Sequence, residues 1–173
     1  MKRTREDWLK EGVRILAEMG PVALTIDLLL QRLRMTKGSF YYHFRSYEGY
    51  VRALLTHIEQ HEIALMGQVT GESDDPRQQI EAVLGWLLNH NPALEAALRT
   101  WSHIDDHASA TQNHIDRERL FDLTTLCGQY LGDGPAGQGM ANLLLAMLIA
   151  RQQASPPLAV QSMVEAFRSA YEL

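Results

Sequence analysis

Apolar side chains recur at helical spacing along almost the whole chain, and no run of alternating β-branched residues suggests a sheet. Trp8, Leu9, Gly12, Ile15, Leu16 and Met19 form one apolar stripe, opened by Thr4-Arg5-Glu6-Asp7 and closed by Gly20-Pro21. Thr25 is placed to cap a second helix through Ile26, Leu28, Leu29 and Leu30 to Leu33, and Arg34-Met35 leaves room only for a tight turn. Thr36 then caps a third, short helix, Lys37-Gly38-Ser39-Phe40-Tyr41-Tyr42-His43-Phe44. Ser46-Tyr47-Glu48 opens a fourth, predicted to reach about Met66. Asp75-Pro76 and Asn91-Pro92 each read as a cap followed by proline in the first turn. They predict a fifth helix through Ile80, Val83, Leu84, Leu87 and Leu88, and a sixth carrying Leu94, Leu98, Trp101 and Ile104. A seventh is expected over 109–131, a loop at Gly132-Asp133-Gly134-Pro135, and an eighth over 138–153. Ser155-Pro156-Pro157 caps the last, which runs to about Tyr171.

The eighth helix carries more than its existence. From Gly134 to Ala150 there is no charged residue, and Met140, Leu143, Leu144, Leu145, Met147, Leu148 and Ile149 circle the helix. A helix apolar all round must be covered on more than one side. Its own subunit covers one side and a second copy the other, or it lies at the centre of a monomeric bundle. The first reading names Met140, Leu144, Met147 and Leu148, with Met163 and Phe167 of the last helix, as candidate interface, backed by Leu158 and Val164.

The short third helix is the centre of the chain's chemistry. Phe40 and Phe44 are one turn apart and can anchor it to a core. Lys37 and Tyr41 share another face, with Gly38 and Tyr42 beside them, and that cationic, hydroxyl-bearing face suits a phosphate-lined groove. An aromatic-rich core helix is the plain alternative. Two short helices joined by a tight turn, the second carrying the contacts, form the helix-turn-helix that reads DNA. The stretch from Thr4 to about Leu55 resembles the DNA-binding domain of the TetR (tetracycline-repressor-like) family of bacterial transcription regulators. The resemblance rests on Gly20, Leu24-Thr25-Ile26, Thr36 to Phe44, Ser46 and Glu48. Three positions depart from the family pattern: Arg34 stands where the turn has Gly, Leu30 where the second helix has Ala, and Tyr47 where Lys is common.

The resemblance implies nine helices in this order: a helix-turn-helix head over 1–50 and a ligand-binding, dimerising body over 51–173. It implies a homodimeric repressor on palindromic double-stranded DNA, released by a small-molecule effector and without a cofactor. By the same resemblance Thr25, Thr36, Tyr42 and His43 hold phosphates, Lys37 and the Gly38 backbone approach base edges, and Tyr41 does either.

Composition changes this picture little, and charge supports it. The net charge of −5 is uneven along the chain. Residues 1–52 hold ten Lys and Arg against six Asp and Glu; residues 53–173 hold six against fifteen. A basic head on an acidic body suits phosphate contact at one end. The 46% hydrophobic fraction is that of a globular protein, and Met140 to Ala150, the longest apolar stretch, is too short for a membrane span. A basic, amphipathic start and one cysteine, Cys127, lead to the expectation of a cytoplasmic protein.

Among helices four to seven, Trp86, Trp101, His103, Ile104, Phe121 and Cys127 are candidate pocket residues, and each suits a core equally well. His57 and His61, and again His103 and His107, stand four apart. Such pairs open a rival reading, a metal-responsive regulator, although zinc needs three or four ligands. No catalytic triad spacing, glycine-rich phosphate loop or metalloprotease motif occurs, so no enzyme is predicted. A helical protein-interaction module is the remaining alternative.

Overall fold

The computed structural model describes residues 3–71, 73–153 and 159–173. Among these residues there are nine α-helices, one 3-10 turn and no strand. In order they are α1 (Arg5–Met19), the 3-10 turn Pro21–Ala23, α2 (Ile26–Leu33), α3 (Lys37–Phe44), α4 (Tyr47–Thr70), α5 (Pro76–Asn89), α6 (Ala93–Ser102), α7 (Asp106–Leu131), α8 (Pro135–Gln153) and α9 (Val160–Tyr171). The all-α fold expected from the pattern is the one observed. No helix among the described residues is long and apolar enough to cross a membrane.

Helix starts follow local chemistry. The Thr4 hydroxyl accepts from Asp7 N at 3.2 Å, and the Asp7 carboxylate accepts from Thr4 N at 2.7 Å, a reciprocal cap. Helix α7 begins before the expected start because the Asp105 carboxylate accepts from Ala108 N at 2.9 Å. Helix α8 begins at Pro135, inside the predicted loop, since proline at the first position gives up no needed N–H. Helix α4 continues past Met66 to Thr70, and α6 stops at Ser102, leaving Ile104 beyond it. The predicted Ser155-Pro156-Pro157 cap and Leu158 lie outside the described residues.

Two compact units divide the chain: residues 1–61 with 93–113, and residues 62–92 with 114–173. The first therefore takes in more than the expected head, 1–50. Helix α6 packs on α1 and buries Leu98 and Trp101 there. Its core is Trp8, Ile15, Leu16, Leu29, Phe40, Tyr50, Leu54 and Ile58. Gly12 is required at the centre of α1. A Cβ there would lie 2.1 Å from the Tyr50 hydroxyl, which crosses α1 to donate to Trp8 O at 3.1 Å.

The second unit is built from the later part of α4, with α5, most of α7, α8 and α9. Ile80, Val83, Leu84 and Leu87 of α5 meet Leu123, Leu126 and Cys127 of α7, Met140, Ala141, Leu144, Met147 and Leu148 of α8, and Val164 and Phe167 of α9 in one cluster. Arg119 of α7 donates to Glu62 of α4 at 2.7 Å with both side chains only 3% exposed, and its guanidinium lies 6.0 Å from the Trp86 ring centre. Arg168 of α9 grips the Glu81 carboxylate of α5 through Nε and Nη2 at 2.6–3.1 Å.

Candidate nucleic-acid interface

The predicted pair of short helices is built as its residues require. The Thr25 hydroxyl accepts from Leu28 N at 3.2 Å, and the Thr36 hydroxyl from Ser39 N at 3.4 Å, so each threonine caps its helix. Between them Arg34 takes a left-handed conformation (φ 54°, ψ 50°), and Met35 N donates back to Leu30 O at 3.0 Å. The turn thus has the geometry of the family's glycine with an arginine in it.

Helix α3 is fixed from behind by rings. Phe40 and Phe44 are buried and meet Trp8 edge-on at 5.6 and 6.4 Å, and Phe44 meets Tyr50 edge-on at 4.9 Å. Edge-to-face packing of this kind sets a ring's orientation as well as its depth. The opposite face is left open. Thr25, Thr36, Lys37, Gly38, Tyr41 and Tyr42 are all exposed, Tyr42 to 76%. His43 is half-buried, with its ring against Tyr42 and Trp8. A Cβ at Gly38 would find only the Thr36 hydroxyl, at 3.9 Å, so the helix is bare there toward solvent.

Thr25, Lys37 and Tyr41 come together with Leu24, Ile26, Asp27 and Tyr47 around an open groove of about 400 Å³. Leu24, Ile26, Asp27 and Tyr47 were not among the expected contact residues, and two of them make contacts of their own. Asp27 lies 3.6 Å from the Lys37 ammonium, both exposed. Tyr47, in the position where Lys is common, donates its hydroxyl to Leu24 O at 2.5 Å. Burial, with Asp105 near, raises its pKa above that of an ordinary phenol. It is a strut between α4 and the approach to α2. Nothing in the sequence signalled either contact, because each depends on how the helices meet.

Cations frame α3 at both ends. Arg34 precedes it and Arg45 follows it, both at positive φ, both exposed, and neither with a carboxylate partner among the described residues. Arg32, by contrast, is tied to Glu18 at 2.7 Å and Glu11 at 3.4 Å. The sequence reading missed Arg45, although its place directly after the helix was the available signal.

The other predicted residues are more scattered. Trp101, His103 and Ile104 belong to the first unit, where Trp101 is buried and the other two are exposed. Trp86, Phe121 and Cys127 belong to the second. Trp86 is half-buried and stacks on His90 at 4.7 Å. Cys127 is a core residue whose thiol burial pushes up to about 11, which removes it as a lining group. Phe121 does line a groove, with Asp122 beside it. The six expected to line one pocket do not form one set. His103 sits in the turn after α6 and His107 on α7, so that pair is not one turn of a helix. No group of three or more His, Cys, Asp or Glu among the described residues is placed to hold a metal.

The expected interface residues turn inward. Met140, Leu144, Met147, Leu148 and Phe167 are buried in the second unit's own core, and Met163 is half-buried against it. The other side of the same helices is exposed. That side carries Gln138, Asn142, Leu143 and Ala146 on α8, and Ser162, Glu165, Ala166 and Ser169 on α9.

A capped pair of short helices, with the second held by rings and bare on its outer face, is a helix-turn-helix head. Residues 9–54 match the family model described as bacterial regulatory proteins, tetR family, so the head is of the TetR type. The fold of the whole chain is TetR-like as well. It aligns with reduced NemR from E. coli at 18% identity, covering 96% of this chain and 97% of that one, with a TM-score of 0.80. A TetR-family transcriptional regulator from Agrobacterium tumefaciens aligns at 17% identity over 97% and 95% of the two chains, with a TM-score of 0.74. AibR, in complex with isovaleryl coenzyme A and operator DNA, aligns at 14% identity over 95% and 96%, with a TM-score of 0.65. No curated protein matches the chain.

Proposed function

We propose that the chain is a transcription repressor that binds a palindromic operator as a homodimer and leaves it when a small effector binds the body. The observation that carries the DNA reading is the outer face of α3: Lys37, Gly38, Tyr41 and Tyr42 exposed on a helix whose position Phe40 and Phe44 fix. Such a face offers a cation, two hydroxyl-bearing rings and bare backbone to a groove. Arg34 and Arg45 extend the cationic strip to both ends of the helix. AibR, of similar fold, is known with both an acyl coenzyme A and operator DNA bound, which supports coupling of ligand and DNA in this architecture.

Roles divide by chemistry. Thr25, Thr36, Tyr42 and His43 with the two arginines hold phosphates, which position the head without specifying sequence. Lys37 and the Gly38 backbone reach base edges. In the free protein Asp27 keeps Lys37 loosely engaged, and docking exchanges that exposed pair for contact with DNA. Dimerisation uses the outward side of α8 and α9, where Leu143 and Ala146 of α8 and Ser162, Ala166 and Ser169 of α9 are exposed. Small residues allow close approach of the two copies. The cytoplasm is the compartment in which such a repressor works.

The test is fluorescence anisotropy with duplexes tiling the DNA beside the chain's own gene. Lys37→Ala is expected to weaken binding to the preferred duplex and flatten the preference, because a lysine contact to guanine is worth about 1–3 kcal/mol. Tyr42→Phe is expected to weaken all duplexes alike. Equal affinities of wild type and both variants would refute the assignment of α3 to the groove.

A further inference from the structure

We infer that the open groove between α4, α5 and α7 in the second unit is a binding site for a small organic cation with an aromatic or apolar body. The groove has a volume of about 270 Å³, near the small end of the roughly 300–1,000 Å³ range of ligand pockets. Met66, Leu123 and Leu126 give it an apolar floor, and Gln79 and Gln129 add amides. Among the described residues Asp122 is the one charged side chain lining it, and no described Lys or Arg does. An anion would meet a carboxylate with no compensating cation, while a cation finds its counter-charge in place.

Phe121 supplies the second recognition element. It stands at the groove next to Asp122 with 69% of its surface exposed, so its ring is open to a ligand. A cation over that face gains from the ring's quadrupole as well as from the carboxylate. Partial burial and the neighbouring Glu118 hold the Asp122 carboxyl above its usual range, a tension that an arriving cation relieves.

Gly67 points the same way from the opposite wall. Glycine is unfavourable inside a helix, and Gly67 lies within α4. A Cβ there would meet no atom within 4 Å, so packing does not require the glycine. Its effect is to leave the groove open on the α4 side.

As an effector site the groove rests on the reading of the chain as a ligand-responsive regulator, but binding itself is measured without DNA. The probe is benzyltrimethylammonium, titrated into the full chain by calorimetry, with benzyl alcohol and phenylacetate as neutral and anionic counterparts. The cation is expected to bind about two- to fivefold more tightly than the neutral probe, as an exposed cation–ring contact allows, and phenylacetate is expected not to bind. Asp122→Asn should remove most of that preference. Gly67→Leu should abolish binding while leaving the melting temperature equal to or above that of wild type, since the added side chain enters open space. Equal binding of cation and anion, undiminished binding by Gly67→Leu, or no binding of the cation to wild type would overturn the proposal. Monomerisation of a wild-type dimer by Phe121→Ser would also overturn it, because the groove would then seat a second copy. A cation that binds here without loosening the DNA complex would leave the site standing and refute effector release.

Discussion

Replacing Arg34 with glycine separates strain from function in the head. Arg34 sits at φ 54°, ψ 50°, the left-handed region, and closes α2 by donating its N–H to Gln31 O and Leu30 O. A side chain with a Cβ pays about 1–2 kcal/mol for that conformation. Glycine removes the strain but costs roughly 0.4–1 kcal/mol through the freer unfolded chain. The net expectation is a gain of between zero and about 1.6 kcal/mol, equivalent to at most roughly 3–6 °C in Tm for a chain of this size. Calorimetry or circular dichroism melts resolve that shift. The same variant loses an exposed guanidinium beside α3. If Arg34 meets a phosphate, the slope of log affinity against log salt should fall by about 0.9. More stable and weaker on DNA is therefore the expected pair of results. A lower Tm would refute the account of the turn, and an unchanged salt slope would remove Arg34 from the phosphate contacts.

Two further outcomes follow from the second unit. Leu143→Glu should leave the melting temperature of the isolated subunit nearly unchanged, since Leu143 is 50% exposed, yet convert the dimer to monomer in sedimentation. Leu144→Ala, one residue along and fully buried, should instead cost about 2–5 kcal/mol of stability and keep the dimer; the reverse pattern would show that α8 faces the other way. Arg119→Met takes the guanidinium away from the buried Glu62 carboxylate and should cost about 3–5 kcal/mol by denaturant melts. The double variant Glu62→Leu with Arg119→Met should recover most of it, and a double variant as unstable as the single would refute the reading of the pair.

The head was legible because its signals are local. Thr25 and Thr36 cap helices through bonds to amides three residues on, and Phe40 and Phe44 declare a buried face by spacing alone. The inward and outward sides of α8 were not legible for the opposite reason. Apolar residues circle that helix, so no direction along the sequence marks the core, and Leu144 was as plausible a contact as Leu143. The amphipathic α9 gives a direction but not a partner. Tyr47 to Leu24 O, Asp27 to Lys37 and Arg119 to Glu62 join residues 10 to 57 positions apart, and such pairings appear only once helices are packed. His103 and His107 failed as a pair because the chain turns between α6 and α7.

The measurement closest to the central claim is selection of binding sites from a random duplex pool by the intact wild-type protein, followed by sequencing. Two heads on a two-fold body should enrich an inverted repeat whose half-sites lie about one helical turn, roughly 34 Å, apart. Leu143→Glu should lose the repeat, and Lys37→Ala should blur the bases within each half. Enrichment of a single unrepeated motif would contradict the dimeric mechanism, and no enrichment by wild type would contradict sequence-specific DNA recognition itself.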